Sequence, residues 1–260
     1  MAMFLYLLGS IHRGADTLKV IPVIDILNGV VVHAVKGERS EYQPLQSSLT
    51  KSVKPVEIAN EFKKIGFRDL YVADLDAIMG YSTNFLILKQ IVDETCLKLM
   101  VDAGLTGFEG AQKLLDSGVS KIIIGTETLR DKNFVSEAVD FFGSERVMVS
   151  LDLKDDKILC KLEIDCYKSP LSFFWSLKDM GVSQVIILDL RKVGSSEGVN
   201  VNFLKKVIKK NEVDVYVGGG IRGINDLVEL KNLGLSGALV ATALHTGKIP
   251  IDALRQEGFL

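Results

Sequence analysis

Short apolar runs of four to seven residues alternate along the chain with longer stretches in which apolar positions recur every three or four residues. The short runs are Val20–Ile26, Asp69–Asp74, Leu97–Asp102, Lys121–Ile124, Arg146–Asp152, Gln184–Asp189, Asp214–Val217 and Ala238–Ala241. They are rich in β-branched residues and mostly apolar on both alternating faces, which predicts parallel strands covered on both sides. The longer stretches predict helices over Pro55–Ile65, Asn84–Asp93, Phe108–Ser117, Asn133–Phe142, Leu171–Met180, Val201–Lys210, Ile224–Leu233 and, more briefly, Ile251–Gln256. Gly66, Gly118, Gly143, Gly181 and Gly234 stand where five of these helices would stop.

Eight strands, each followed by a helix, match the length of an α/β (β/α)8 TIM barrel. A doubly wound sheet would need fewer strands or a composition break marking a second domain, and none is visible. An internal repeat sharpens the choice. Leu70–Asp74 precedes Val185–Asp189 by 115 residues, and Met100–Gly104 precedes Val215–Gly219 by 115. Ile123–Thr126 precedes Leu239–Thr242 by 116, and Val23–Asp25 precedes Ser150–Asp152 by 127. Strands one to four thus map in order onto strands five to eight, a two-fold half-barrel repeat.

The length of 260 residues fits one such barrel over 19–260, with residues 1–18 as an N-terminal extension. The extension's apolar run, Ala2–Leu8, lacks a positive n-region and is short for a membrane span, so it is read as a loose leader. With 31 Lys+Arg against 33 Asp+Glu, the net charge of −2 gives no electrostatic support to a nucleic-acid or anionic-membrane partner. Cys96, Cys160 and Cys166 form no CxxC pair, and an odd count is a poor disulfide framework, which favours a reduced, cytoplasmic compartment. Three histidines, His12, His33 and His245, offer little for a zinc site, and none has a partner at triad or metal spacing. No metal and no cofactor is expected.

In a barrel of this kind the chemistry sits at the C-terminal strand ends. Asp25 ends the first strand and Asp152 the fifth, which face each other across eight strands. Either aspartate alone could simply cap a turn. Paired by the repeat, they suit a general acid and a general base flanking one substrate. Gly218-Gly219-Gly220-Ile-Arg222-Gly223 satisfies the dinucleotide G-x-G-x-x-G pattern, but it follows the seventh strand and no acidic residue ends a following strand. These glycines are instead expected to bring backbone amides close to a phosphate, with Ala241 and Thr242 as the second wall and Arg222 as added charge. In the first half the corresponding place is Asp102–Gly107 beside Gly125-Thr126-Glu127. There Gly104, Gly125 and Thr126 could cradle an anion, whereas Asp102 and Glu127 would repel one. Lys36 could reach a substrate phosphate, or be a surface lysine. Asp74 could bind a sugar hydroxyl, or cap the Met79-Gly80 loop. Arg191–Gly198 reads as a lid-like loop.

Ile21-Pro-Val-Ile-Asp25-Ile-Leu-Asn-Gly29 resembles the histidine-biosynthesis barrel family. Its members are the ProFAR isomerase (HisA) and the cyclase subunit of imidazole glycerol phosphate synthase (HisF). The likeness runs from about Lys19 to Lys248 and takes in Val72–Asp76, Ile123–Thr126, Val149–Asp152, Gly218–Gly220 and Ala243–Lys248. It implies an Amadori rearrangement of an aminoaldose to an aminoketose on a phosphorylated ribose adduct, without metal or organic cofactor. Asp25 would then be the base and Asp152 the acid. The chain departs from the isomerase in three places. Asp102-Ala-Gly-Leu-Thr106 stands where the family has Gly-Gly-Gly-Ile-Arg, Leu188 where a threonine assists catalysis, and Val193-Gly194 where an aspartate-glycine is usual. These departures imply a divergent relative outside histidine biosynthesis, of the kind seen in methane- and methanol-metabolising microbes. Such a relative would act on another phosphorylated aldose or amine adduct, singly phosphorylated or not, or bind a phosphate ligand without catalysis. The cyclase role needs a glutaminase partner, for which nothing in the sequence argues.

Overall fold

The structure is a computed structural model that describes residues 17–161, 169–210 and 213–260. Its strands are β1 (Lys19–Leu27), β2 (Val30–His33), β3 (Gln43–Pro44), β4 (Asp69–Asp74), β5 (Lys98–Asp102) and β6 (Lys121–Gly125). They continue as β7 (Val147–Lys154), β8 (Lys157–Ile158), β9 (Gln184–Asp189), β10 (Asp214–Gly218) and β11 (Gly237–Val240). The helices are α1 (Pro55–Ile65), α2 (Leu75–Ile78), α3 (Phe85–Thr95), α4 (Phe108–Asp116) and α5 (Asn133–Phe142). After them come α6 (Pro170–Asp179), α7 (Val201–Val207), α8 (Ile224–Leu233), α9 (Thr242–His245) and α10 (Ile251–Gln256).

Eight strands run parallel in the order β1-β4-β5-β6-β7-β9-β10-β11, and β11 pairs back onto β1 through Lys19↔Gly237 to Pro22↔Val240. The sheet is therefore a closed (β/α)8 barrel, with helices covering its outer face. β1 and β7 stand opposite one another in the ring. Both run past the rim into an antiparallel extension, β1 turning into β2 at Leu27↔Val30 and β7 into β8 at Lys154↔Lys157. The half-barrel repeat thus extends to these strands' decorations.

The two-residue side-chain period of each strand divides the core in two. Ile21, Tyr71, Met100, Ile123, Met148 and Tyr216 fill the barrel interior. Alternate residues such as Ile24, Val72 and Val101 pack outward against the helices. α1 illustrates how a helix is bounded and seated. Pro55 occupies its first turn, Ile58, Ala59 and Phe62 are buried, and Gly66 closes it at φ 121. Gly143 and Gly234 are C-caps in the same way, whereas Gly118 and Gly181 follow their caps by one residue at φ 92 and 81.

Three features differ from the sequence expectation. The segments β2, β3, β8, α2 and α9 were not foreseen, because two to four residues carry no readable period. The helix expected over Val201–Lys210 tightens to a 3-10 turn at Ile208–Lys210. Cys160 is disulfide-bonded, so the expectation that the cysteines remain thiols fails there, and the support it lent to a reducing compartment goes with it. Among the described residues no helix is long and apolar enough to cross a membrane. The leader reading of residues 1–18, including His12, falls almost wholly outside the described residues; of these only Thr17 and Leu18 are described, and Leu18 is buried in the core.

Phe62 is fully buried and meets Phe67 edge-on at 5.7 Å between ring centroids. Phe62→Ala is expected to destabilise the barrel by about 3–5 kcal/mol, and Phe62→Leu by clearly less. Urea unfolding midpoints followed by circular dichroism check both values.

Candidate active site

Counting by twos along the strands builds the site. From Ile21 the inward positions of β1 run through Val23 to Asp25, and from Met148 those of β7 run through Ser150 to Asp152. The same count gives Asp102 on β5, Leu188 on β9, Gly218 on β10 and Ala241 just past β11. Of these, Val23, Asp25, Asp102, Asp152, Leu188, Gly218 and Ala241 line one open cavity at the C-terminal mouth, of about 1130 Å3 including space open to solvent. Apart from Leu188, the uppermost inward layer is thus acidic or small, where large apolar and aromatic side chains fill the barrel below.

The two opposed carboxylates are held differently. Among the described residues no protein donor reaches the Asp25 carboxylate, and burial alone pushes its pKa up to about 7. Asp152 is 3% exposed and accepts from three donors. Ser150 Oγ donates at 2.6 Å, the Glu127 amide at 3.0 Å and Thr126 Oγ1 at 3.4 Å. Desolvation outweighs those bonds and raises its pKa to about 7 as well. Asp102 is pushed up to about 8, by burial first and by the Asp152 charge second. Tyr71 packs beneath these groups, its phenol raised well above its ordinary range by burial and by the carboxylates around it. Arg39, on the loop after β2, reaches across the mouth and donates to both Glu127 oxygens, at 2.6 and 2.8 Å.

On the opposite wall, Gly218, Gly219 and Gly220 line the cavity together with Ala241 and Thr242, where α9 begins. Gly219 and Gly220 have φ of 87 and 91, and a Cβ on Gly219 would lie 2.4 Å from Asp189 O. No side chain fits there, so bare backbone forms this wall. β-strand ends seven and eight plus a short extra helix are a common phosphate site in such barrels. Thr242 Oγ1 lies 3.1 Å from His33 Nε2, a contact no sequence spacing announces. His245 is buried behind it, its Nδ1 3.0 Å from Ser47 Oγ, with burial lowering its pKa to about 4; it is a neutral packing residue.

The remaining candidates are placed elsewhere. Arg222 turns away into a pair with Asp226, which also accepts from the Arg222 amide at 2.8 Å. Asp74 is fully buried and organises the loop after β4, accepting from Asn84 and from Ala77 at the start of α2. Lys36 sits on the rim, 3.4 Å from Glu197. In the first half, Gly104 donates its amide to Asp102 Oδ1 at 3.0 Å, and Thr126 and Glu127 both donate to Asp152. Gly125 lies between the two aspartates, which approach its Cβ position at 3.1 and 3.2 Å. The loop Arg191–Gly198 is tied down through Lys36 N to Val193 O and Gly198 N to Gly220 O, and its Val193, Gly194 and Ser196 wall the cavity. Arg39 and Tyr42 are the site residues the sequence did not mark. Both lie in an irregular loop, where no period or motif singles them out.

Fold and site together define a (β/α)8 barrel with two opposed carboxylates at its mouth and a wall of bare backbone beside them. The family described as histidine biosynthesis protein matches residues 19–250, and the chain belongs to it. An uncharacterized protein of Methanocaldococcus jannaschii is 36% identical over 240 residues, covering 91% of this chain and 97% of its own. The 1-(5-phosphoribosyl)-5-((5-phosphoribosylamino)methylideneamino)imidazole-4-carboxamide isomerase of Halothermothrix orenii is 30% identical over 241 residues, covering 92% and 99%. Its counterpart in Methanosphaera stadtmanae is 29% identical over 242 residues, covering 92% and 99%.

The raised pKa of Asp25 makes a stability statement. Its carboxyl ionises near 3.8 when unfolded and near 7 when folded, so its charge opposes folding increasingly between those values and fully above them. Asp25→Asn is expected to leave stability unchanged near pH 3.5 and to raise it at pH 8, with about 4 kcal/mol as the ceiling. Urea titrations at the two pH values check the sign.

Proposed function

We propose that the chain is a metal-independent isomerase that moves an aminoaldose to an aminoketose on a phosphorylated ribose adduct, with Asp25 and Asp152 as its proton-transferring pair. The observation that carries this reading is the two carboxylates on opposite strands of one cavity, each brought by burial to about 7. A group titrating there both accepts and returns a proton readily at neutral pH. Asp25, which no donor among the described residues reaches, is the base that takes the proton from the carbon next to the aldose carbon. Asp152, oriented by Ser150 and the Glu127 amide, is the acid that protonates the ring oxygen as the sugar opens. The wall of Gly218–Gly220 and the first turn of α9 holds the phosphate. We further propose that the enzyme works in the cytoplasm on a free small molecule.

The family's isomerases support the reaction class. The substrate named for the relatives carries two phosphoribosyl groups, and here one observation favours a different substrate. The first-half amides of Gly104 and Glu127 are already satisfied by Asp102 and Asp152. A second reading follows: the same proton transfers on a substrate with one phosphate, outside histidine biosynthesis. Leu188, apolar where the family has a threonine, also favours it.

Complementation of a histidine auxotroph lacking the isomerase separates the two. Rescue supports the two-phosphate substrate, and failure of a well-folded, well-expressed chain supports the second reading. With either substrate, Asp25→Asn and Asp152→Asn should each lower kcat/KM by on the order of a hundredfold or more while circular dichroism stays unchanged. Near-normal turnover in both variants would sink the acid–base reading.

A further inference from the structure

The wall built by β5, β6 and β7 is closed to one kind of ligand and open to its opposite. Asp102 ends β5 on the inward face and is 7% exposed. Its Oδ1 accepts from the Gly104 amide at 3.0 Å, and among the described residues no protein donor meets its Oδ2. That oxygen and Asp152 Oδ2 converge over Gly125, at 3.1 and 3.2 Å from the position a Cβ would take. The guanidinium nearest to them, Arg39, is already held by both oxygens of Glu127. Lys154 also lines the cavity and is the other cation of the lining.

We propose that Asp102 is a specificity-determining residue that selects a substrate with a single phosphate and, at its other end, a positively charged nitrogen group such as a protonated amine or amidine. The inference rests on the reading of the Gly218–Gly220 wall as a phosphate cradle. A phosphate at the β5–β6 wall would find its amide donors engaged and would face Asp102, Asp152 and Glu127 at short range. A cation at Asp102 reverses the balance. It supplies the counter-charge that this desolvated carboxylate lacks and a donor for the open Oδ2. The groups acting on Asp102 are Asp152 from β7 and Glu127 with its partner Arg39, and the Tyr71 phenol from β4 lies within reach of its charge. All but Arg39 are acidic or neutral, so an arriving cation draws the proton off Asp102.

Calorimetric titration of the full-length protein at pH 7 tests this with four probes. They are inorganic phosphate, ω-aminoalkyl phosphates of three to six carbons, n-alkyl phosphates of matching length, and alkane-α,ω-bisphosphates. At the best length, the aminoalkyl phosphate is expected to bind at least tenfold tighter than the alkyl phosphate, with proton release read from the buffer dependence of the heat. Asp102→Asn, and Asp102→Gly as the smaller replacement, should reduce that preference to below threefold and remove most of the proton release. A bisphosphate that binds more tightly than the aminoalkyl phosphate overturns the inference, as does an amine preference unchanged in both variants. Phosphate binding without amine preference overturns this inference alone. Absence of binding by any phosphate probe overturns the cradle reading and this inference with it.

Discussion

Closure of the sheet through β1 and β11 is the constraint on which the site depends. Four Cα pairs, Lys19↔Gly237 to Pro22↔Val240, join the first parallel strand to the last. Once the ring is closed, inward positions have no route to solvent except the two ends. Large side chains such as Tyr71, Met148 and Tyr216 fill the middle. The mouth stays open because the last inward positions are small or polar on every strand but β9, which ends in Leu188. Asp25, Asp102, Asp152 and Gly218 are four of these positions, and the layer of large side chains beneath leaves the three carboxylates poorly solvated.

The consequence is a site that works against the stability of its own scaffold. Among the described residues Asp25 is raised by burial with no hydrogen bond to offset it, whereas Asp152 is raised despite three. The two halves share a backbone plan and have opposite electrostatics. In the second half the wall is bare glycine backbone and the start of α9. In the first half the equivalent amides are consumed internally, by Asp102 at Gly104 and by Asp152 at Glu127. One carboxylate at the end of β5 thus makes the first half acidic where the second half ends β10 in Gly218.

Much of the architecture was legible because parallel strands buried on both faces are written as continuous apolar runs, and the eight expected strands agree with the observed ones to within a residue or two at each end. The register of the two halves was legible too, since repeated strands kept their ending residues. The partners of individual polar groups were less so. Arg222 reads as a phosphate ligand beside a glycine turn, yet it lies four residues before Asp226, which captures it across one helical turn. Asp74 reads as a sugar ligand and instead ties Asn84 to the loop after β4. Lys36, the first lysine after the first strand, ends beside Glu197 on the rim. A glycine turn or an acidic strand end states what a backbone permits, and not which neighbour arrives first.

The sequence by itself determined the number of strands, their order, the half-barrel repeat and the two aspartates that end strands one and five, because each is carried by local period and by spacing along one chain. Only the tertiary structure decided that Arg39 crosses 88 residues of sequence to Glu127, that His33 reaches Thr242, and that Asp102 and Asp152 converge over Gly125. Those contacts join residues on different loops whose separation depends on the curvature of the closed sheet. The pKa values of the carboxylates depend on it as well, since desolvation is a property of everything packed around a group and is written nowhere in its own segment.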